Sequence, residues 1–324
     1  MSTNTTSSLP PGITDPSQCT LDICPIELAT IPYIPTLPGN LLYLAIFVIA
    51  IIANLVLGIR YKTWSFMAGM ASGGALEVLG YVGRVMLNKN PFNGDAFLMY
   101  LICATIAPVF LTAAVYLCLS RVVIVYGESL SFLRPRTYTI LFITCDFISL
   151  VLQAAGGAIV STTDDRATSD IGLHIMQSGL IFQVVSLVVF MVLCAVFFVR
   201  VRQSHRAGRE KLDLNPDFVE LRSSRRFAFF LYAFSVATVA MVARCGYRVA
   251  ELSEGFNGAI WGNEIEFMVL EGALISICVI LMTGAHPGWC FSRRFKEAGY
   301  AMKNLKAGKG EVNEASNLTD NSST

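Results

Sequence analysis

Seven apolar stretches run along the chain, at 39–60, 66–87, 97–121, 138–160, 173–199, 227–250 and 265–285. Each approaches the roughly 20 residues that a helix needs to cross a bilayer's hydrocarbon core. The pattern predicts an all-α membrane protein, a seven-transmembrane-helix bundle. The fifth stretch is long enough to tilt or to project beyond the bilayer. The polar connections differ in sign. Arg60 and Lys62 follow the first stretch, Arg134 and Arg136 the third, a dense basic loop from Arg200 to Arg226 the fifth, and Arg293, Arg294 and Lys296 the seventh. The alternate connections, Lys89 to Asp95, Asp164 to Asp170 and Glu251 to Glu264, are acidic or nearly neutral. Basic residues stay on the cytosolic side, so the N-terminus is expected outside and the C-terminus in the cytosol. The basic loop and tail serve as topology determinants in this reading, with anionic-lipid contact as a second use.

Polar residues inside the apolar stretches recur at helical spacing. Glu77, Tyr81 and Arg84 lie at i, i+4 and i+7; Asp146 and Gln153 are seven apart, as are Arg244 and Glu251, and Glu264 and Glu271. Seven residues return a helix to nearly the same face, about 10.5 Å further along. Arg248 and Tyr247 join the sixth stretch's polar face, Gln183 sits in the fifth, and Tyr116 and Arg121 end the third. An arginine at mid-membrane costs roughly 2.5–3.5 kcal/mol on insertion scales, so these groups must face protein or water. With the expected topology, Glu77, Arg84, Arg244, Arg248, Glu251, Glu264 and Glu271 gather toward the outer side. Asp146, Arg121 and His286 lie nearer the cytosol. Two readings compete: an inter-helix salt-bridge network that fixes packing, and a polar cavity opening toward the outer leaflet. The cavity is favoured, because sealing seven charges in a dry bundle demands nearly perfect pairing. Gly69-x-x-x-Gly73 reads as a close helix contact, and Pro108 should kink the third helix.

Composition agrees with the membrane reading. The 324 residues are 54% hydrophobic and 15% charged, where soluble domains carry about 25% charged residues. The formal net charge is +1, and no nucleic-acid partner is expected. Residues 1–38 read as an extracellular polar tail without the basic and apolar regions of a cleaved signal peptide. Asn4 opens a possible glycosylation sequon, and Cys19 and Cys24 are free to bridge if that tail is exported. The transmembrane domain spans 39–285, and 286–324 is a cytosolic tail, partly disordered. Most other cysteines fall inside apolar stretches as packing residues, and no metal site or cofactor is expected.

The ordered set of polar motifs resembles a known family. The carrying stretches are Glu77-Val-Leu-Gly80-Tyr81-Val-Gly-Arg84, Tyr116 to Arg121, Asp146 to Gly157 with Ser149 and Gln153, Gly179 to Gln183, Arg244-x-x-Tyr247-Arg248-x-x-Glu251, Glu264 with Glu271, and His286-Pro287-Gly288. They cover six of the seven helices, in order, and are similar to the fungal RTA-like proteins, also called the lipid-translocating exporter family. That family often has a His before the first Glu of the seventh helix and an aromatic between the two Glu residues. Here those positions hold Asn263 and Met268. The resemblance implies a plasma-membrane protein whose relatives export sphingoid long-chain bases, confer drug or sterol-analogue resistance or, in one branch, take up porphyrin. It makes a non-enzymatic lipid transporter the expected function. The expected cavity residues are Glu77, Tyr81, Arg84, Asp146, Gln153, Gln183, Arg244, Tyr247, Arg248, Glu251, Glu264 and Glu271, with an ammonium received by one of Glu77, Glu251, Glu264 or Glu271.

Other classes fit less well. A seven-helix receptor or lipid sensor shares the topology, and Ser120-Arg121-Val122 only weakly echoes a receptor motif. Metal-dependent hydrolysis needs clustered ligands, whereas His174, His205 and His286 are dispersed. A retinal Schiff base would need a lysine in the seventh helix, where none stands. No phosphate-binding loop is present for ATP-driven transport by this chain alone. His286-Pro287-Gly288 reads as a helix terminator, with a haem or porphyrin ligand as the minor alternative for His286.

Overall fold

Every long apolar stretch forms a helix in the computed structural model, which describes residues 23–24, 29, 31, 33–163, 165–208, 214–253, 263–291 and 295. Seven long helices follow in order: α1 Leu37–Tyr61, α2 Trp64–Lys89, α3 Gly94–Tyr126, α4 Pro135–Thr162, α5 Arg166–Arg206 and α6 Arg225–Ser253. The last, α7, joins Glu264–Glu266, a π-helical stretch Phe267–Ala273 and Leu274–Gly284. The first six start and stop beyond the apolar stretches that predicted them, while α7 starts one residue early and stops one residue short. The excess is greatest in α5, whose 41 residues make about 61 Å at 1.5 Å per residue, twice the apolar thickness of a bilayer. Its N-terminus is capped by Asp165, whose carboxylate accepts from Thr168 N at 3.2 Å and Thr168 Oγ1 at 2.8 Å. Those bonds hold the Asp165 carboxyl below its ordinary range.

Six of these helices are long and apolar enough to cross a membrane; α2 is not among them. The shortfall has a physical cause. Helix α2 carries Glu77, Arg84 and Lys89 and five glycines, which lower its average hydropathy although Glu77 and Arg84 are buried within the bundle. It lies between α1 and α3, packed on both.

The helices form a closed ring, α1 to α7 in sequence and α7 back against α1, with α3 also touching α6. One end gathers the start of α1, the end of α2 and the start of α3: Arg84 Nε donates to Asn40 Oδ1 at 2.9 Å. Gly83 lies so close to α3 that a Cβ there would meet Ala96 O at 2.8 Å. At the same end Gly156 of α4 abuts the backbone of α5, where a Cβ would meet Met176 N at 2.5 Å. Gln177 Nε2 of α5 donates to Leu252 O of α6 at 2.5 Å. This end is called upper below. Gly69 and Gly73 make the expected close contact, since Cβ atoms there would meet Phe110 O and Ala107 O of α3, each at 3.0 Å.

The lower end is aromatic. Phe291 stands edge-on to Phe227 and Phe230, with centroids 5.2 and 5.1 Å away, and Tyr126 stands edge-on to Phe197 at 6.1 Å. The segment after α5 folds under α3: Asn215 N donates to Tyr126 O at 3.0 Å and Arg222 Nη1 to Val125 O at 2.8 Å. His286 closes α7. Its Nδ1 accepts from Gly288 N at 3.1 Å, capping the short helix Pro287–Cys290, as a terminator should. Cys24 is disulfide-bonded; Cys19, with which the sequence left it free to bridge, lies outside the described residues, as do Asn4 and most of both polar tails.

Candidate functional site

The upper half holds most of the buried charges. Arg84, near the end of α2, is 1% exposed and enclosed by aromatic rings. Its guanidinium lies 3.8 Å from the Phe267 ring centroid, 5.1 Å from that of Tyr100 and 5.8 Å from that of Tyr33. Cation–π attraction of this kind strengthens when water is excluded. Arg84 Nη2 also donates to Tyr33 OH at 3.2 Å and faces Glu264 Oε1 at 3.8 Å. Burial raises the Tyr33 phenol above its ordinary value, and Arg84 opposes that rise. Glu264 accepts in turn from Thr36 N at 2.6 Å and Thr36 Oγ1 at 3.0 Å, tying α7 to the start of α1.

Deeper in the bundle, Arg244 Nη2 of α6 is ion-paired with Glu271 Oε1 of α7 and also donates to Ala104 O of α3 at 2.7 Å. That carbonyl is available because Pro108, four residues on, has no N–H to return to it. The helix runs through Pro108 from Gly94 to Tyr126, and the bond it forfeits becomes a bond to the arginine. Arg248 Nη1 pairs with Glu251 Oε2 at 2.5 Å on the same helix, and Tyr247 OH approaches Glu251 Oε1 at 3.5 Å. Glu271 sits inside the π-helical turn, a feature common at functional sites. Tyr43 OH donates to Met268 O in that turn at 2.7 Å. Gly272 lets Tyr81 approach, as a Cβ there would meet Tyr81 OH at 2.9 Å.

Four carboxylates and three arginines therefore meet inside the upper half. Glu264, Glu271 and Glu251 each face an arginine. Glu77 does not. It is 3% exposed, its Oε1 has no hydrogen-bond partner, and no cation among the described residues pairs with it.

The charges are distributed over two compartments rather than one. A small chamber of about 10 Å³ is lined by Glu77, Tyr81, Arg84, Tyr100, Phe267 and Glu271. A site for one water requires roughly 10–15 Å³, so the chamber has room for about one water. A second cleft of about 550 Å³ opens between α3, α4, α5 and α6. Its walls are apolar, from Leu101, Ile106, Leu150, Met176 and Leu180, and its polar groups are few: Thr105, Gln153, Ser161, Arg244 and Arg248. Leu98, Ile102 and Val151 at its edge are exposed, so the cleft opens sideways, where lipid would lie. Ligand pockets commonly measure 300–1,000 Å³ with a few placed polar groups.

Of the residues expected in a cavity, Glu77, Tyr81, Arg84 and Glu271 thus border the chamber, and Gln153, Arg244 and Arg248 border the cleft. Arg244 connects the two, lining the cleft while paired to Glu271. Gln183, Tyr247, Glu251, Glu264 and Asp146 border neither. Gln183 Oε1 accepts from Gln153 Nε2 at 3.1 Å, orienting it. Asp146 Oδ2 accepts from Thr112 Oγ1 at 2.9 Å and Tyr116 OH at 3.0 Å. Sequence reasoning missed Asn40, Tyr33, Tyr100 and Phe267 around Arg84. Asn40 was the available signal, a polar group at the start of an otherwise apolar stretch.

The comparisons agree with this architecture. Residues 70–294 match the family model described as RTA1 like protein. Across 284 residues, 81% of this chain and 74% of the relative, the sequence is 33% identical to the Sphingoid long-chain base transporter RSB1 of Saccharomyces cerevisiae. Two more distant relatives from the same organism are Protein RTM1, 24% identical over 74% of this chain and 76% of the relative, and Protoporphyrin uptake protein 1, 25% identical over 64% of each. The first and last of these names describe transport and uptake rather than catalysis. No solved structure matches the chain. The chain belongs to the RTA1-like family of fungal multi-pass membrane proteins.

Proposed function

We propose that this protein moves a single-chain amphiphilic amine, a sphingoid long-chain base, between bilayer leaflets of the plasma membrane. Helix α2 serves as a seventh span with its charges turned inward, and the upper end faces outside, as the basic residues of the other connections suggest. The observation that carries the reading is the unpaired Glu77. With Glu77 ionised, four carboxylates against three arginines would leave the cluster one positive charge short. A buried carboxylate without a countercharge is costly, and a substrate ammonium supplies the missing charge.

The cleft supplies the rest. The alkyl chain slides in between α3 and α4 at Leu98, Ile102 and Val151 and lies on the apolar wall. Hydroxyl groups near the head meet Gln153 and Thr105. The ammonium then passes Arg244, which must give way because it stands between cleft and chamber. The π-helical turn around Glu271 provides the slack: reverting to α-helix would shift the registration of Glu271 against Arg244. The 33% identity to a protein named as a sphingoid long-chain base transporter supports this substrate class.

The test is reconstitution in liposomes with a fluorescent long-chain base. Protein-dependent flip is expected, and Glu271→Arg should abolish it as well as cellular protection against added long-chain base. Unchanged protection with normal surface expression would remove the buried cluster from the mechanism. Binding without flip would favour a lipid sensor instead.

A further inference from the structure

Asp146 is a second buried carboxyl without a countercharge, and it has a different setting. It is 1% exposed, midway along α4. The titratable groups facing it are Tyr116 from α3 and Cys245 from α6. Along this face α5 brings Gly179, whose carbonyl accepts from Ser149, and Gln183, which is bonded to Gln153. No arginine, lysine or histidine among the described residues pairs with it. Asp146 borders neither the chamber nor the cleft.

The hydrogen bonds around it suit a proton that comes and goes. Thr112 has one hydroxyl hydrogen and two acceptors in range, Asp146 Oδ2 at 2.9 Å and Val109 O at 3.1 Å. With Asp146 ionised, Thr112 and Tyr116 both donate to Oδ2. With the proton on Oδ2, the acid donates to Thr112 Oγ1, Thr112 turns its hydrogen to Val109 O, and Tyr116 still donates to Oδ2. Both states use the same heavy-atom positions. Oδ1 has no partner in the structure, which a lasting negative charge in this setting would not tolerate.

We propose that Asp146 is a proton-binding site that couples lipid movement to a counter-moving proton. The inference rests on the transport reading above. In each cycle Asp146 takes one proton from water on one side and releases it on the other, while one R–NH3+ crosses the opposite way. The exchange is electroneutral and needs no other co-reactant. Ser149 and Gln153 follow Asp146 on the same α4 face, and Gln153 lines the cleft.

The test uses full-length protein in liposomes containing a pH dye, with protein-free vesicles as background. A pH gradient should drive accumulation of fluorescent long-chain base by the wild type, and added base should move protons. Asp146→Asn should lower gradient-driven accumulation at least tenfold and make gradient-free flip independent of pH. Infrared difference spectra of the protein alone give a readout independent of transport. A protonated carboxyl band present in the wild type near neutral pH should be lost from the spectrum of Asp146→Asn and kept in that of Glu77→Gln. Absence of that band, gradient-driven accumulation retained by Asp146→Asn, or driving by sodium instead of protons would each overturn the proposal. Wild-type flip that ignores every gradient would overturn it and leave the transport reading standing. No wild-type flip at all would overturn both.

Discussion

The upper and lower halves of the bundle are built from the same seven helices but by opposite means. Below, Phe227, Phe230, Phe291, Phe197 and Tyr126 fill the interior with rings in edge contact, and the segment after α5 is bonded across the end of α3. Above, glycines bring backbones together and the space between is given to charges. Ring packing has few alternative arrangements of similar energy. Ion pairs have several, since an arginine can exchange one carboxylate for another. The difference teaches where a passing molecule can be accommodated: the upper half can rearrange its pairs, while the lower half resists opening.

Substitutions can break or sharpen that contrast. The largest effect should come from Glu271→Arg, which sets two guanidiniums face to face in place of a buried pair. Losing a partner from such a pair costs about 3–5 kcal/mol, so thermal unfolding in detergent should shift strongly downward and flip should vanish. Next, Phe230→Ala empties the aromatic end. Buried Phe→Ala in soluble cores costs about 3–5 kcal/mol, but lipid tails are as apolar as the core. The loss should be smaller, about 2 kcal/mol from the cavity and lost contacts. Stability should fall while the preference for amine lipids stays, and a changed preference would show that the halves are not separate in role.

Filling the cleft sharpens the contrast further. Ala154→Trp, on the α4 wall, should cut flip of long-chain bases about tenfold while sparing short-chain amines, as measured across a chain-length series, with the loss traceable to a filled pocket. Equal losses at all lengths would show that the chain does not lie there. The smallest effect is expected from Pro108→Ala. It restores a helical donor to Ala104 O and competes with Arg244, costing about 1 kcal/mol or less, the worth of one hydrogen bond. A modest drop in flip with little change in unfolding temperature would match.

Much of this was legible in the chain, and the failures have causes. Helix positions followed from apolar length, and the polar stripes from seven-residue spacing, because both are properties of a single helix. The pairing Arg244–Glu271 could be anticipated as an arginine needing an acid, but its choice over Glu77 depends on how α2, α6 and α7 rotate against one another. The π-helical turn has no local sequence signature here. Pro108 was read as a kink, yet its consequence lies on another helix, where the carbonyl it frees receives Arg244. The division into chamber and cleft could not be read either. It depends on which small residues, Gly83 and Gly156 among them, draw their helices close and which leave space.

The central claim is that a substrate ammonium completes the cluster at Glu77, and a cycle of affinities tests it most directly. Purified wild type and Glu77→Gln are each titrated with a long-chain base and with its N-acetylated form, which lacks the charge. If the ammonium meets Glu77, removing either charge alone should weaken binding ~10-fold or more, the worth of a charge-assisted bond, and removing the second should add little. Additive losses, or equal binding of both lipids by the wild type, would contradict the account.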